Sequence, residues 1–157
     1  MVEIERKFLV SNLEQCLLQA QGASHITQGY LSLDPARTVR VRQTASQSFL
    51  TIKGPSNAAG DTRLEFEYPI PQQEAKELLS LCLANVIKKT RHQVPHGNHT
   101  FEVDVFEGVL KGLVIAEVEL DSSNETIDLP SWIDKEVTGD ERFYNSQLAQ
   151  SPAPPEL

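Results

Sequence analysis

Charged and apolar residues alternate in several short stretches of this chain, and this alternation constrains the fold more than any other feature of the sequence. The clearest stretches are residues 3–7, 40–42, 65–67, 102–104 and 117–119. Successive side chains of a β-strand point to opposite faces, so each stretch puts its charges on one face and its apolar residues on the other. Several such strands give a sheet one face lined with acids and bases. Burying that face is costly unless the charges pair, bind metal or meet a charged ligand.

The predicted strands are numerous and short. They lie at residues 2–10, 25–33, 38–43, 48–53, 62–70, 86–94, 99–106 and 113–120. Eight strands with few helices predict an α+β fold that is mainly antiparallel β, with a sheet that closes on itself. Residues 92, 96 and 99 are histidines that flank a predicted hairpin turn, and we interpret them as exposed turn residues and not as metal ligands.

Helices and loops take up the rest of the chain. Pro71 begins the best-defined helix, and further short helices are predicted near residues 13–18 and 140–149. Residues 54–60 have the composition of a flexible loop, and residues 130–133 predict a short helical or irregular segment. We expect one domain over residues 1–150 and a disordered, proline-rich tail over 151–157.

Composition excludes several classes of function. The net charge is −8 and no Lys/Arg cluster is interleaved with aromatic residues, so we expect no nucleic-acid partner. No apolar run approaches the length of a membrane span, and residues 1–10 lack a signal-peptide pattern, which predicts a cytoplasmic protein without a membrane partner. Cys16 and Cys82 lack CxxC spacing and are expected to be free thiols.

Two interpretations of the alternation remain open at this point. The charged faces of the strands either face solvent, as in many antiparallel sheets, or line an interior whose apolar alternates face helices packed outside. The charges within each charge–apolar–charge triplet have one sign, and both carboxylates and bases come from well-separated strands. A metal ion bound with a polyphosphate needs this combination: carboxylate oxygens for the metal, and Arg and Lys for the remaining phosphate charge.

The same stretches resemble the motifs of the CYTH superfamily, also called triphosphate tunnel metalloenzymes. Residues 1–10 contain the ExExK signature of that family. The resemblance continues through ordered motifs at residues 40–42, 50–53, 64–67, 88–91, 102–106, 116–120 and 140–145. It implies an eight-stranded antiparallel tunnel with a charged lumen and a few helices packed outside, and so favours the charged interior.

The resemblance also implies which residues form the site. Ligands of Mg²⁺ or Mn²⁺ are expected at Glu3, Glu5, Asp104, Glu117 and Glu119. Two further carboxylates hold a second metal or orient bases: Glu65 and Glu67. The triphosphate is expected to be bound by Lys7, Arg40, Arg42, Lys53, Lys89, Arg91 and Arg142. Arg6 is expected to point away from this site, because it alternates with Lys7 on the same strand.

The implied activity is metal-dependent hydrolysis of inorganic triphosphate to pyrophosphate and phosphate by an activated water. Neighbouring cations depress the pKa of a lysine, which allows it to act as a general base. Lys89 is the first candidate for this role and Lys53 the second. The alternative role for each lysine is to bind the phosphate by its charge alone. Thiamine triphosphatase, class IV adenylate cyclase and a non-catalytic polyphosphate-binding module are the alternatives. The partner is a small triphosphate, and the protein is expected to be a monomer or a homodimer.

Overall fold

A computed structural model describes residues 1–157 as a barrel of antiparallel strands with a few short helices. The strands are β1 (Val2–Val10), β2 (Gly22–Ser32), β3 (Thr38–Gln43), β4 (Ser48–Ser56), β5 (Thr62–Ile70), β6 (Leu83–His96), β7 (His99–Phe106), β8 (Val114–Glu119) and β9 (Ile133–Glu136). The α-helices are α1 (Leu13–Leu18), α2 (Gln72–Leu79) and α3 (Asn145–Leu148), and 3₁₀ turns span Gly108–Leu110 and Glu141–Phe143.

Eight of the nine strands close into a barrel. The order is β5-β4-β3-β2-β6-β7-β8-β1, and β5 also pairs with β1, which joins the two edges of the sheet. Every pair is antiparallel. The ninth strand, β9, extends the sheet beside the second half of β1. The predicted fold class, a closed eight-stranded antiparallel barrel with few helices, is confirmed.

The apolar residues that alternate with the charges face outward on one side of the barrel and are buried there. Phe8, Val103 and Val118 pack together with Cys16 of α1 and with Trp132. The Trp132 ring meets the Phe101 ring edge-on at a centroid distance of 5.6 Å. Each Å² of apolar surface buried in this packing contributes about 25 cal/mol of stabilisation. Because the apolar residues face outward, the charged residues that alternate with them face the interior of the barrel.

Phe66 departs from that arrangement. We expected it to face a covering helix, but its outer face on β5 is 40% exposed. Helix α2, which follows β5 in the chain, packs mainly against β2, β3 and β4. Gly29 allows α2 to come close, because a Cβ on Gly29 would lie 2.6 Å from the Sγ of Cys82 just beyond the helix.

The barrel interior is charged along only part of its length. At one end, the inward-facing residues are apolar: Leu9, Ile87, Phe106 and Ile115. Phe143 and Leu148, from the segment that follows β9, pack onto them. The prediction of a charged lumen therefore needs the correction that one end of the barrel is filled by this apolar cluster, because each of these strands changes from charged to apolar inward positions.

Three local predictions differ from the structure. The helix predicted over residues 140–149 is a 3₁₀ turn followed by the four-residue α3, because Asp140 begins the turn by accepting from the backbone N–H of Arg142. The segment after residue 130 leads into β9. The loop expected from residue 54 begins later, because β4 continues to Ser56.

Two other expectations, the free cysteines and the β6–β7 hairpin, are confirmed. Cys16 and Cys82 are both free, with Cys16 fully buried. The β6–β7 hairpin turns between His96 and His99 as predicted. No helix has the length and apolar character needed to cross a membrane. The division into a domain over 1–150 and a disordered tail stays a prediction.

Candidate active site

The charged part of the barrel interior contains a cavity of about 430 Å³. Its only aromatic or aliphatic lining residues are Tyr30 and Tyr144. The predicted site residues that line it are Glu3, Glu5, Lys7, Arg40, Arg42, Lys53, Glu65, Glu67, Arg91, Glu117 and Glu119. Residues from β1, β3, β4, β5, β6 and β8 thus converge on one space, as the alternation and the closed barrel together require.

The carboxylates of β1 and β8 form the first wall of the cavity. Glu5 pairs in register with Glu119, and Lys7 with Glu117. Burial, followed by the charges of Glu117 and Glu3, raises the pKa of Glu5 well above its usual range. Burial opposes ionisation of Glu117 as well, but the neighbouring cations, Lys7 first, hold its pKa below its usual value. This wall therefore carries uncompensated carboxylate repulsion centred on Glu5.

The adjoining wall of the cavity is made of ion pairs between side chains of β1, β3, β4 and β5. Lys53 Nζ lies 2.7 Å from Glu3 Oε1 and 3.4 Å from Glu65 Oε2. Arg40 Nη2 lies 3.6 Å from Glu67 Oε2. Burial and Arg40 oppose the charge of Lys53, but Glu3 and Glu5 outweigh them and raise its pKa. Lys53 therefore stays protonated in this arrangement.

Two arginines of β3 carry more positive charge than the protein neutralises. Arg40 is buried, and its Nε has no hydrogen-bond partner. Burial, followed by repulsion from Arg40 and Arg91, lowers the pKa of Arg42 to about 9. A buried donor without an acceptor is costly. Bound phosphate oxygens would supply both the acceptor and the negative charge that this wall lacks.

Lys89 and Asp104, both predicted site residues, lie behind the cavity wall. Lys89 Nζ is 2.7 Å from Asp104 Oδ2, and the two side chains are 0% and 1% exposed. Asp104 also accepts from Arg91 Nε at 2.8 Å and Nη2 at 2.9 Å. Asp104 therefore anchors two cations, and the structure does not place it at the cavity as a metal ligand. The register explains its depth, because Asp104 lies opposite Ile115 of the apolar end.

The same buried cluster changes the charge state of Lys89. Burial, opposed by Asp104 and reinforced by Arg91 and Arg42, lowers the pKa of Lys89 to about 7. Burial also opposes ionisation of Asp104, but Lys89 and Arg91 hold its pKa below its usual value. Lys89, and not Lys53, is thus the lysine that can exchange a proton near neutral pH.

Arg142 is not brought to the cavity. Its side chain is 54% exposed, and its guanidinium donates to both carboxylate oxygens of Asp140, at 3.1 and 2.8 Å. The short 3₁₀ turn after Asp140 holds the arginine on the outside. Arg6 faces outward as predicted, where it pairs with Glu136 of β9 at 2.7 Å.

The cavity also has lining residues outside the predicted set of site residues. Glu102 lines it and pairs with Arg91 at 3.3 Å, and Arg63 lines it and donates to the carbonyl of Gly54 at 2.9 Å. Glu102 shares the inward face of β7 with Asp104, so the alternation already contained this signal. Tyr144 lies beside Lys7, whose Nζ is 5.6 Å from its ring centroid. The only signal for Tyr144 in the sequence was its position within the last motif, at residues 140–145.

Two glycines bring the β4–β5 turn against the segment that follows β9. A Cβ on Gly60 would lie 2.2 Å from the Cα of Gly139, and both residues have positive φ, 79° and 80°. Only glycine takes this backbone region without strain. Both residues line the cavity, so their contact forms part of its wall.

The histidines lie away from the cavity. His99 pairs with Glu125, and His96 lies 3.3 Å from Asp128. No group of three or more His, Cys, Asp or Glu side chains lies close enough together to form a ready-made cation site. Glu5 of β1 lies opposite Glu119 of β8, and carboxylates are hard oxygen donors of the kind that Mg²⁺ accepts.

A closed antiparallel barrel whose interior holds converging acids and bases belongs to a class of protein that binds small, highly charged anions. The comparison with protein families gives the particular family. The CYTH domain matches residues 1–144, so the chain belongs to the CYTH family.

Named relatives are similar over nearly the whole chain. The inorganic triphosphatase of Acetivibrio thermocellus is 46% identical over 151 residues, which cover 96% of this chain and 94% of that protein. The inorganic triphosphatase of Nitrosomonas europaea is 36% identical over 157 residues, covering 96% of this chain and 99% of that protein. The crystal structure of the inorganic triphosphatase NE1496 superposes with a TM-score of 0.66 at 32% identity, covering 95% of both chains.

Proposed function

We propose that this protein hydrolyses inorganic triphosphate to pyrophosphate and phosphate, with Mg²⁺ or Mn²⁺ as cofactor. The observation that carries the proposal is the cavity in which Arg40, Arg42, Lys53 and Arg91 converge from separate strands. Arg40 keeps a buried Nε without an acceptor there. The two inorganic triphosphatases to which the chain is 46% and 36% identical support the same activity.

A divalent cation fits the wall formed by β1 and β8. Glu5 and Glu119 are the proposed principal ligands, because burial and neighbouring carboxylates raise the pKa of both and a cation would relieve that repulsion. Glu3 and Glu117 flank them and already have cationic partners. Once bound, Mg²⁺ or Mn²⁺ neutralises phosphate charge and makes a coordinated water more acidic.

The basic residues bind and orient the triphosphate. A fully ionised triphosphate repels an attacking water, and fixed cations that neutralise it lower the barrier to phosphoryl transfer. In this structure Arg40 and Lys53 pair with Glu67, Glu3 and Glu65, so they are held in place before substrate arrives. Their preorganised charge costs no reorganisation at the moment of reaction.

The reaction needs an acceptor for one proton. The water oxygen bonds to the terminal phosphorus, the bond to the bridging oxygen breaks, and pyrophosphate leaves. We assign the proton to Lys89, because its pKa of about 7 leaves a large neutral fraction near neutral pH. Lys53 acts as a clamp, because Glu3 and Glu5 keep it charged. Lys89 Nζ donates a hydrogen bond of 3.1 Å to Asn145 Oδ1, and Asn145 lines the cavity.

A substrate panel tests the proposal. Phosphate release is measured with tripolyphosphate, pyrophosphate, ATP and thiamine triphosphate, each with Mg²⁺, with Mn²⁺ and with EDTA. We expect metal-dependent turnover of tripolyphosphate well above that of the others. Preferred turnover of thiamine triphosphate, or cyclic AMP formed from ATP, would replace the proposal with the corresponding activity of the superfamily. Tight binding of tripolyphosphate without turnover would make the protein a binding module.

The cytoplasmic location and the monomeric or homodimeric state belong to the same proposal. Neither changes the chemistry of the cavity, since every residue assigned to it comes from one chain. Size-exclusion chromatography with light scattering distinguishes the two oligomeric states.

A further inference from the structure

Gln28 is a polar side chain buried in the barrel next to the site, and neither the motifs nor the proposed mechanism uses it. It is 0% exposed, on the inward face of β2. In the β2–β3 register it lies opposite Arg42, and the neighbouring Ile26 lies opposite Lys89 of β6. Gln28 therefore stands between two of the cations assigned to the site.

Hydrogen bonds join these cations through two amides. Arg42 Nε donates to Gln28 Oε1 at 3.0 Å, and Gln28 Nε2 donates to Asn145 Oδ1 at 3.0 Å. Lys89 Nζ donates to the same Asn145 oxygen at 3.1 Å. Asn145 is the first residue of α3 and lines the cavity.

The chemistry of the four side chains fixes which group donates and which accepts in each of these hydrogen bonds. Arg Nε and a charged Lys Nζ are donors only, so the oxygen of each amide must face its cation. Gln28 then has its NH₂ group left to donate, and Asn145 has its oxygen left to accept. Each amide thus has only one orientation that satisfies all of its hydrogen-bond partners, which makes the network specific.

We propose that Gln28 and Asn145 are positioning residues for the triphosphatase reaction: Gln28 holds the guanidinium of Arg42, and Asn145 holds the amine of Lys89. This inference rests on the proposed function for its kinetic consequences. It assigns α3 a role beyond packing, since its first residue links the C-terminal segment to two basic residues of the barrel. Loss of either amide leaves a buried cation with one acceptor fewer.

The two amides have separable effects. Arg42 binds substrate, so replacing Gln28 should weaken tripolyphosphate binding. Lys89 serves the proton transfer, so replacing Asn145 should lower kcat and leave KM within about threefold. A displacement of about 1 Å in a reacting group costs on the order of 100-fold in rate, and we expect about 10-fold to 100-fold for Asn145→Leu.

The experiment compares Gln28→Leu, Asn145→Leu, Asn145→Asp and the control Gln147→Leu. Gln147 is an exposed amide on the same helix whose side chain makes no hydrogen bond, so its change to leucine matches the chemical change at the other positions. Each variant is assayed with tripolyphosphate and Mg²⁺ at its own optimum pH. Binding of tripolyphosphate in EDTA is measured by calorimetry, and folding by the fluorescence of the single tryptophan, Trp132.

We expect Gln28→Leu to raise the Kd in EDTA about 10-fold over Gln147→Leu, because a hydrogen bond to a charged group is lost. Asn145→Leu should lower kcat without that change in Kd. Asn145→Asp keeps an acceptor for both donors and should retain at least about a third of the wild-type kcat. An Asn145→Leu variant as active as Gln147→Leu, or an Asp variant as inactive as the Leu variant, would overturn the proposal.

Failure of the proposed function gives a different result. If the wild-type protein does not turn over tripolyphosphate, the binding arm alone decides, and unchanged Kd in Gln28→Leu then refutes the positioning role. If Gln28→Leu does not fold, the Asn145 variants decide, because Asn145 is only half-buried in a four-residue helix.

Discussion

Asp104→Asn should destabilise the protein strongly, although the change is isosteric. Asp104 forms an ion pair with Lys89, whose Nζ is 2.7 Å from Oδ2, and accepts charge-assisted hydrogen bonds from Arg91 Nε and Nη2 at 2.8 and 2.9 Å. Lys89 is 0% exposed and Asp104 1%. Removing one partner of a buried pair typically costs about 3–5 kcal/mol. Asparagine fills the same volume, so no cavity adds to that figure.

Urea unfolding followed by Trp132 fluorescence measures the loss. For an m-value of about 2 kcal/mol/M, 3–5 kcal/mol lowers the unfolding midpoint by roughly 1.5–2.5 M. Asp134→Asn, on the exposed side of β9, is the matched control and should change the free energy of unfolding by less than about 0.5 kcal/mol. The m-value should stay the same in both variants.

The deficit of Asp104→Asn also depends on pH. Without the carboxylate, the pKa of Lys89 falls further below its value of about 7, while in the unfolded chain it is about 10.4. Between those values the unfolded state binds a proton that the folded state does not, so stability rises with pH. In the wild type this rise begins only above about pH 7, so the deficit of Asp104→Asn should shrink as the pH rises towards about 7 and stay constant between about pH 7 and pH 10.

Two results would refute this reasoning. A loss below about 1 kcal/mol would mean that the pair is not structural. A fully stable variant with weakened Mg²⁺ binding would mean that Asp104 is a metal ligand, as the sequence alone suggested.

Three further predictions concern single groups. Glu5→Gln should raise the unfolding midpoint in EDTA, because ionised Glu5 is disfavoured by burial and by Glu117 and Glu3. The same change should abolish most metal-dependent hydrolysis. A lower stability of Glu5→Gln in EDTA would contradict the carboxylate repulsion assigned to Glu5. The kcat for tripolyphosphate should rise with pH through about 7, as Lys89 loses its proton, and a profile flat from about pH 6 to pH 8 would remove Lys89 as the base. Cys16, fully buried with a pKa raised by burial to about 11, should react with a thiol reagent only after urea unfolding, and rapid labelling of native Cys16 would contradict its burial.

The sequence predicted the barrel because the alternation of Glu5, Lys7, Val103 and Val118 assigns each side chain to a face. Once the strands close into a barrel, one face of the sheet must line the interior. The apolar cluster around Trp132 covers the other face, so the charged face is the interior one. The final strand β9 escaped notice because its four residues contain three charges and only Ile133 to mark a buried face. The last helix was overestimated because Tyr144 ends the 3₁₀ turn in an extended conformation and separates it from α3.

Depth along the barrel axis was the part of the site that the sequence did not reveal. Lys89 and Arg91 share one face of β6, and alternation treats them alike. The register places Lys89 opposite Phe106 and Arg91 opposite Asp104, so Lys89 lies closer to the apolar end, behind the residues that line the cavity. Contacts between distant segments set this depth, as with Asn145 and Lys89, which are 56 residues apart.

The most direct test of the central claim follows tripolyphosphate by ³¹P NMR in the presence of the protein. With Mg²⁺ or Mn²⁺ we expect tripolyphosphate to disappear while pyrophosphate and phosphate form in equal amounts, and we expect EDTA to stop the reaction. Glu5→Gln should give the same arrest in the presence of metal. Undiminished turnover in EDTA, or full activity of Glu5→Gln, would contradict a metal-dependent reaction at the β1–β8 wall, and stable binding without products would contradict hydrolysis itself.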